Sequence, residues 1–479
     1  MEYEVVMGLE VHVELAAESK LFCSCSAKFG AEPNENVCPA CAGMPGMLPV
    51  ANKRAIELGM IAGKLTDSEI SRRITFDKKN YFYPDLPAGY QITQWFSPVC
   101  KKGKVEIETE AGKKTITLKQ IHIEEDAGKL LHDARAGVSL ADYNRVGVPL
   151  IEIVSNPDFR CAEEVIAYLT KLQKLLTFAG VSDCKMQEGS MRCDVNISVR
   201  KKGDKALGVR AEIKNMNSFK AIERAIAYES ERHIEAIETK REVLVQETRG
   251  WDDNKGMTFS MRSKEEAHDY RYFPNPDIAP IHIDDEWLQS VINSIPETAE
   301  SKYKRYLTVY GLTEKECGVL TGGKRISEIF ESVVNSGIAP KEAANWTLGE
   351  LLSVLNLEKT DIEDISLDCQ KFARIISLVR DGKVQRGAGK TLLQNIIKDG
   401  NFDIDKYVRE NDLLISVSGE GLDAVIAQII KDNPKQVAEY KGGNEKIITF
   451  FMGQFMKKTA GKADPKAANT ILLNKLKDL

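Results

Sequence analysis

No stretch of this 479-residue sequence approaches the roughly 20 consecutive apolar residues that a membrane-crossing helix needs. The opening residues, MEYEVVMGLEVHVEL, are acidic and alternate in polarity. They lack a basic leader and a small-residue cleavage site, so no signal peptide is expected. Internal repeats and low-complexity linkers are missing as well. Gly387-Ala388-Gly389-Lys390-Thr391 ends like a phosphate loop, but Val384 stands where that loop requires glycine. Gly318 and Gly323-Lys324 have the glycine spacing but run into Arg325 rather than a hydroxyl residue. No G-x-G-x-x-G follows a strand, and no G-x-S-x-G elbow occurs. Any ATP used here therefore binds by an uncommon fold. A net charge of −5 excludes a uniformly basic nucleic-acid-binding surface.

What remains is a globular composition, 43% hydrophobic and 29% charged, in a chain long enough for two to four domains and an ample core. Ten cysteines without an export signal suggest thiols in a reducing, cytoplasmic compartment. Four of them are closely paired: Cys23-Ser24-Cys25, then twelve residues, then Cys38-Pro39-Ala40-Cys41. Two short-spaced pairs of soft ligands can close a zinc tetrahedron from two tight turns, and Pro33, Asn34, Pro39, Gly43, Pro45 and Gly46 supply turn chemistry around them. Four free core thiols or two disulfides are the alternatives; the pairing favours structural zinc.

The periodicity predicts an α+β chain. Alternating polarity over residues 4–15, 104–109, 115–124 and 191–199 predicts strands, and the apolar run 146–154 predicts a buried one. Amphipathic helices are expected over 162–179, closed by Gly180, and from Asn217 or Ser218 to about 238. Strand signals thin out after residue 284. The reading is a mixed domain with an antiparallel sheet over 1–292, a helical domain over 293–405 and a small helical tail over 406–479, with breaks at Lys441-Gly442-Gly443 and near residues 461–465. Residues 441–479 hold eight lysines against three acids, Glu445, Asp464 and Asp478. That tail either meets a phosphate backbone or is a solvated helix face.

Chemistry-bearing residues gather on the predicted strands. In the first, Leu9, Val11, Val13 and Leu15 share one face, and Glu10, His12 and Glu14 the other. Another strand ends in Glu124-Glu125-Asp126, and Glu152 sits inside an apolar run, where a carboxylate needs a cation; Arg145 or a metal are candidate partners. Three acid-bearing strands with a histidine suit a hard cation such as Mg²⁺ beside a phosphate. The segment from Asp77 to Gln91, dense in rings, prolines and lysines, is either a packed surface loop or a pocket rim.

These motifs, in order, resemble the B subunits of the bacterial and organellar aspartyl/glutamyl-tRNA amidotransferases, over essentially the whole chain. The motifs that carry the resemblance are Gly8-Leu9-Glu10-Val11-His12-Val13-Glu14-Leu15, Lys79-Asn80-Tyr81-Phe82-Tyr83-Pro84-Asp85, His122-Ile123-Glu124-Glu125-Asp126-Ala127-Gly128-Lys129 and Asp142-Tyr143-Asn144-Arg145-Val146-Gly147-Val148-Pro149. Further along stand Glu188-Gly189-Ser190-Met191-Arg192-Cys193-Asp194-Val195-Asn196, Lys214-Asn215-Met216-Asn217-Ser218 and Asp269-Tyr270-Arg271-Tyr272-Phe273-Pro274. The quartet Cys23, Cys25, Cys38 and Cys41 resembles the zinc-bearing members of that family. The resemblance implies a cradle-like first domain and a tail that touches tRNA. It implies ATP-dependent conversion of Glu-tRNA(Gln) or Asp-tRNA(Asn) to the amide through a side-chain acyl phosphate. Ammonia comes from a glutaminase A subunit, and a small C subunit completes the heterotrimer. On the same ground Mg²⁺ is expected on Glu10, His12 and Glu125, with Glu124 and Glu152 nearby. Lys79, Tyr81, Asn144 and Arg145 are expected along the substrate or ammonia path. A zinc-stabilised tRNA-binding scaffold without chemistry of its own is the alternative.

Overall fold

The computed structural model describes residues 2–133, 135–263, 269–415, 420–442, 444, 447–459 and 465–477. Of the tail's charged residues, Lys446, Lys462, Glu445, Asp464 and Asp478 lie outside the described residues, as do Gly443 and Gly461 of the two expected breaks. The chain divides into two compact units, Met1–Thr298 and Ala299–Leu479.

The first unit is built on a nine-stranded sheet. From one edge its order is Met257–Ser263, Glu247–Asp252, Ala211–Lys214, Met191–Lys201, Tyr3–Glu14, Pro149–Ser155, Gly112–Glu125, Cys100–Thr109 and Glu69–Ile70. Every neighbouring pair is antiparallel except Ala211–Lys214 with Glu247–Asp252. The alternation seen in the sequence decides which face is buried. Leu9, Val11 and Val13 of the first strand are at most 1% exposed, and Ile121, Ile123, Ile151, Ile153, Val195 and Ile197 join them. The helices Lys53–Leu65, Ala162–Phe178 and Phe219–Thr239 supply Ile61, Leu169, Leu172, Ile222 and Ile226 to the same core. The opposite face keeps the charged residues.

Local chemistry sets the helix ends. Glu163 and Glu164 occupy the first turn of Ala162–Phe178, where the helix dipole favours acids, and Gly180 at φ +68° stops it. Ser218 caps Phe219–Thr239 by accepting from Ala221 N, but the helix ends on Lys240 in the left-handed region rather than on glycine.

A charged network lies inside this core. Glu229 is fully buried; its carboxylate accepts from Thr258 Oγ1 at 2.8 Å and Arg232 Nε at 3.1 Å, with Arg249 Nε at 3.6 Å. Burial alone would raise its pKa, but the close approach of His233 Nε2 at 3.2 Å and the bonds from Arg232 more than reverse that and bring it to about 2 from an ordinary 4.5. A folded value below the unfolded one means stability that is present above pH 4.5 and is lost as pH falls towards 2. Glu229→Gln is therefore expected to lower unfolding stability at pH 7 by ~3 kcal/mol. Urea unfolding at a series of pH values should show that gap narrowing below pH 4.5. A gap independent of pH would show that the network contributes only through shape.

The second unit is helical. Thr313 and Glu316 form a reciprocal capping box at Glu314–Leu320, and Asp368 caps Cys369–Arg380. Phe372, Ile375 and Ile376 of that helix are buried at three- and four-residue spacing. They join a core with Tyr306, Phe330 and Trp346, while Leu422, Ile426, Phe451, Phe455 and Leu472 form a separate one. Gly387 to Thr391 lie inside the helix Arg386–Lys398, where Lys390 donates to Ser353 Oγ at 3.0 Å. This is helix packing, not a phosphate loop. Among the described residues, no helix is long and apolar enough to cross a membrane.

Candidate active site on the polar face of the sheet

Strand register alone assembles the site. Four adjacent strands place Arg192, His12, Glu152 and His122 directly opposite one another, in that order. Glu124 follows His122 by two residues on the same strand and so shares its face. His12 Nε2 lies 3.4 Å from Glu124 Oε1 and 3.6 Å from Glu152 Oε2. His122 Nε2 lies 2.8 Å from Glu152 Oε2 and 3.6 Å from Glu124 Oε2. Thr93 Oγ1 donates to Glu124 Oε2 at 3.1 Å. Two carboxylates and two imidazoles thus interlock in a largely buried square.

The electrostatics follow from that square. Burial disfavours a charged His122, but the charge of Glu152 and hydrogen bonds to Glu124 and Glu152 outweigh it and raise its pKa to about 10. His12 is raised in the same sense, burial being overcome by Glu124 and Glu152. Glu124 is held well below the usual carboxylate range: burial opposes ionisation, and the bonds to His12 and His122 win. Glu152 is lowered for the same reasons. The ligand atoms of His12, Glu124 and Glu152 all lie within 4.8 Å of one another, as a cation site requires. A cation there must displace the His12 proton, because only neutral imidazole ligates.

One row further along, Glu10 faces Asp194, and Glu10, Asp194 and Glu212 again converge within 4.8 Å. Asn196 Nδ2 donates to Glu10 at 3.0 Å and Thr248 Oγ1 to Glu212 at 2.8 Å. Lys214 bridges Asp194 and Glu212, the latter at 2.9 Å. Glu10 still resists ionisation, first through burial and then through the charges of Glu152 and Glu212. This all-oxygen set matches the preference of Mg²⁺ more closely than the set containing imidazole. His12 and Glu124 of the first trio and Asp194 of the second line an open pocket of about 370 Å³, together with Lys79, Tyr81, Arg192 and Lys214 among others.

Other expected site residues fall elsewhere. Glu125 follows Glu124 directly, so the pleat turns it to the opposite side. Its carboxylate accepts from Ile92 N at 2.8 Å and lines a cavity of about 100 Å³ with Lys20, Phe22 and Cys41, where burial pushes its pKa to about 7. The expected trio Glu10, His12 and Glu125 is therefore not brought together; His12 meets Glu124 and Glu152 instead. Arg145 is not the partner of Glu152 and does not face the pocket. Its guanidinium lies 3.3 Å from Asp126 and donates to the carbonyls of Ala127 and Gly128, because the turn before Pro149 carries it past the strand end. Asn144 pins the cysteine loop, accepting from Asn36 N at 2.8 Å and donating to Glu32 O at 2.6 Å. Lys79 and Tyr81 do line the pocket.

The loop that carries the cysteines brings all four thiols within 4.8 Å, with Cys38 Sγ and Cys41 Sγ 3.9 Å apart. Zinc–sulfur bonds of about 2.3 Å in a tetrahedron need sulfurs ~3.8 Å apart, so the geometry fits the ion. The Cys41 thiol is pushed down to about 4, first by its hydrogen bond with Cys23 and further by Lys20. Lys20 is fully buried; its ammonium donates to Asn36 O at 2.7 Å and Tyr143 O at 3.2 Å and lies 3.5 Å from Cys41 Sγ. It supplies a positive charge beside a cluster that becomes anionic on ligation.

Residues 5–289 match the family described as the GatB/GatE catalytic domain, and residues 328–476 match the GatB domain. Over 482 residues, 100% of both chains, the sequence is 49% identical to the B subunit of the aspartyl/glutamyl-tRNA(Asn/Gln) amidotransferase of Caldicellulosiruptor saccharolyticus. The chain belongs to this family. The B subunits of Lachnoclostridium phytofermentans, 49% identical over 98% of each chain, and of Clostridium beijerinckii, 45% identical over 100% of each, are similar along their whole lengths too. Against the motifs of the B-subunit family, sequence reasoning missed His122, Asp194, Glu212 and Lys214 as site residues. Asp194 had a readable signal: it alternates with Cys193 and Val195 as His12 does with Val11 and Val13. Lys214 was marked only by opening the motif Lys214-Asn215-Met216-Asn217-Ser218, and Glu212 had no signal, since a four-residue strand shows too little periodicity.

Proposed function

We propose that this chain is the amide-forming subunit of a tRNA-dependent amidotransferase that acts in the cytoplasm. It converts Glu-tRNA(Gln), Asp-tRNA(Asn) or both into the cognate amide, consuming ATP. The observation that carries the reading is a pair of convergent acid clusters, each reaching one shared pocket through His12 and Glu124 or through Asp194, in a chain of this family. A carboxylate cannot release oxide to ammonia. Its oxygen must first attack the terminal phosphorus of ATP, releasing ADP and leaving an acyl phosphate. Ammonia then adds at the carbonyl carbon, phosphate departs and one proton is lost.

His12, Glu124 and Glu152 on one side and Glu10, Asp194 and Glu212 on the other are the residues that would hold Mg²⁺. When bound, Mg²⁺ neutralises charge on the transferring phosphoryl group, which this chemistry needs more than it needs a protein nucleophile. The chain's own residues orient these acids: His122 clamps Glu152, Thr93 clamps Glu124, and Lys214 offsets the charge of Asp194 and Glu212. Lys79 and Tyr81 line the approach of substrate and ammonia. Ammonia would come from a glutaminase A subunit, with a small C subunit completing the assembly, as the B-subunit name of the relatives suggests.

Hydroxylamine in place of glutamine tests this reading in the assembled complex. ATP and misacylated tRNA should then yield the side-chain hydroxamate with one ADP for each, and His12→Ala should lose both products together. Normal ATP turnover in His12→Ala, or no hydroxamate from the unaltered complex, would favour the scaffold alternative.

A further inference from the structure

A run of aromatic rings leaves the pocket and ends in solvent. Tyr81 meets Tyr270 edge to face at 6.0 Å, Tyr270 meets Tyr272 at 6.0 Å, and Tyr272 stacks on Trp95 at 4.3 Å with 10° between the planes. Trp95 and Phe96 are 52% and 54% exposed. Rings so exposed normally sit on yielding backbone, but this turn is held from below. Asp77, fully buried, accepts from Trp95 N at 2.7 Å and Phe96 N at 3.0 Å. Gln94, also fully buried, accepts from Val99 N and Ile123 N, both at 3.0 Å. A buried carboxylate and a buried amide thus present two rings to water. Such preorganisation gives the fold no burial in return, whereas it serves a ligand.

The platform is continuous with the reaction centre. Thr93, which bonds Glu124, precedes Trp95 by two residues, at most ~7 Å of chain. The Tyr272 hydroxyl feels the charges of Glu124, Glu152 and Glu10. Lys79 Nζ sits over Tyr270 at 5.0 Å and Tyr81 at 5.7 Å, and exposed Arg271 lies between Tyr270 and Tyr272 in sequence. Neither cation has an ion-pair partner among the described residues.

We propose that the outer face of Trp95, backed by Tyr272, is the stacking platform for the 3′-terminal base of the substrate RNA. This rests on the reading above, in which the RNA-borne carboxylate reacts at the acid clusters. Single-stranded nucleic-acid ends are held by stacking on aromatic faces, with cations meeting the backbone phosphates, as Trp95, Tyr272, Lys79 and Arg271 are arranged to do. The open platform suits a chain end with neighbouring nucleotides better than the adenine of a free mononucleotide, which pockets usually enclose.

The test uses the assembled complex and two uncharged acceptor-stem RNA hairpins, one complete and one lacking its terminal adenosine. The complete hairpin should quench the fluorescence of Trp95, isolated by comparison with Trp95→Phe. Trp95→Ala should weaken its binding about tenfold, and Trp95→Phe much less. The truncated hairpin should bind the unaltered complex about tenfold more weakly and should lose nothing further in Trp95→Ala. Equal weakening of both hairpins by Trp95→Ala, or none of either, would overturn the platform. So would a raised KM for ATP with RNA binding unchanged, which would assign the rings to the nucleotide. Failure of the unaltered complex to bind either hairpin would overturn the parent reading as well.

Discussion

Glu124→Gln is expected to reduce amide formation by roughly a thousandfold in kcat, the scale on which a preorganised electrostatic group acts. Among the described residues, Glu124 is the one carboxylate that meets His12, His122 and Thr93 together. Glutamine keeps its shape but removes one of the two charges that hold the imidazoles protonated, and its NH₂ replaces an oxygen that accepts a hydrogen bond. The change has a signature apart from activity. His122, near 10 because of Glu152 and Glu124, should titrate closer to 6.5 in the variant, as NMR of the ring protons would show. Glutaminase activity in the assembled complex should survive. The same change at Glu125 tests the register, since that side chain faces the cavity beneath the cysteine loop. A larger loss of amide formation at Glu125 than at Glu124, with both folded, would sink the assignment.

Cys38→Ser with Cys41→Ser is expected to release zinc and lower the Tm by roughly 10 °C, while turnover per folded molecule changes little. Four thiolates would leave zinc no open position for substrate, so such a site would be structural. The loop has little else to hold it. Leu21 and Phe22 root its start in the core, but Phe29, Met44, Leu48 and Val50 further along are 56–77% exposed, so apolar burial does not anchor the rest. Its ties are polar: Asn34 N to Asp142 at 3.1 Å, Asn34 Nδ2 to Ala141 O at 3.0 Å, and Asn36 N to Asn144 at 2.8 Å. In the double variant Lys20 stays buried but loses the Cys41 sulfur that lies 3.5 Å from its ammonium. Metal analysis and melting curves of both forms check this. A double variant that melts like the parent but makes no amide would reverse the division of labour.

Much of the sheet was legible because burial on one face writes a period of two into the sequence. The strand predicted over 191–199 is observed as Met191–Lys201, and the helix predicted over 162–179 as Ala162–Phe178. The apolar run 146–154 begins its strand only at Pro149, because Gly147 at φ +79° still belongs to the turn. The candidate site was legible in part. Glu10 and His12 could be placed on a polar face from alternation alone, whereas Glu152 stood out only as a carboxylate inside an apolar run. Glu125 was preferred to Glu124 on the resemblance alone, since either fits the end of a strand until its neighbour's register is known, and the register brings Glu124 to His12.

Sequence alone thus determined the residue types, their faces and the cysteine spacing, because these follow from local periodicity and ligand chemistry. It also carried the family, through motifs too long and too ordered to coincide by chance. Only tertiary structure decided which charges meet. His12 lies opposite Glu152 through pairing across more than a hundred residues, and Asp194, Glu212 and Lys214 join through two further strands. Pairing register is a long-range property, and a slip of one residue would turn every one of these side chains to the other face.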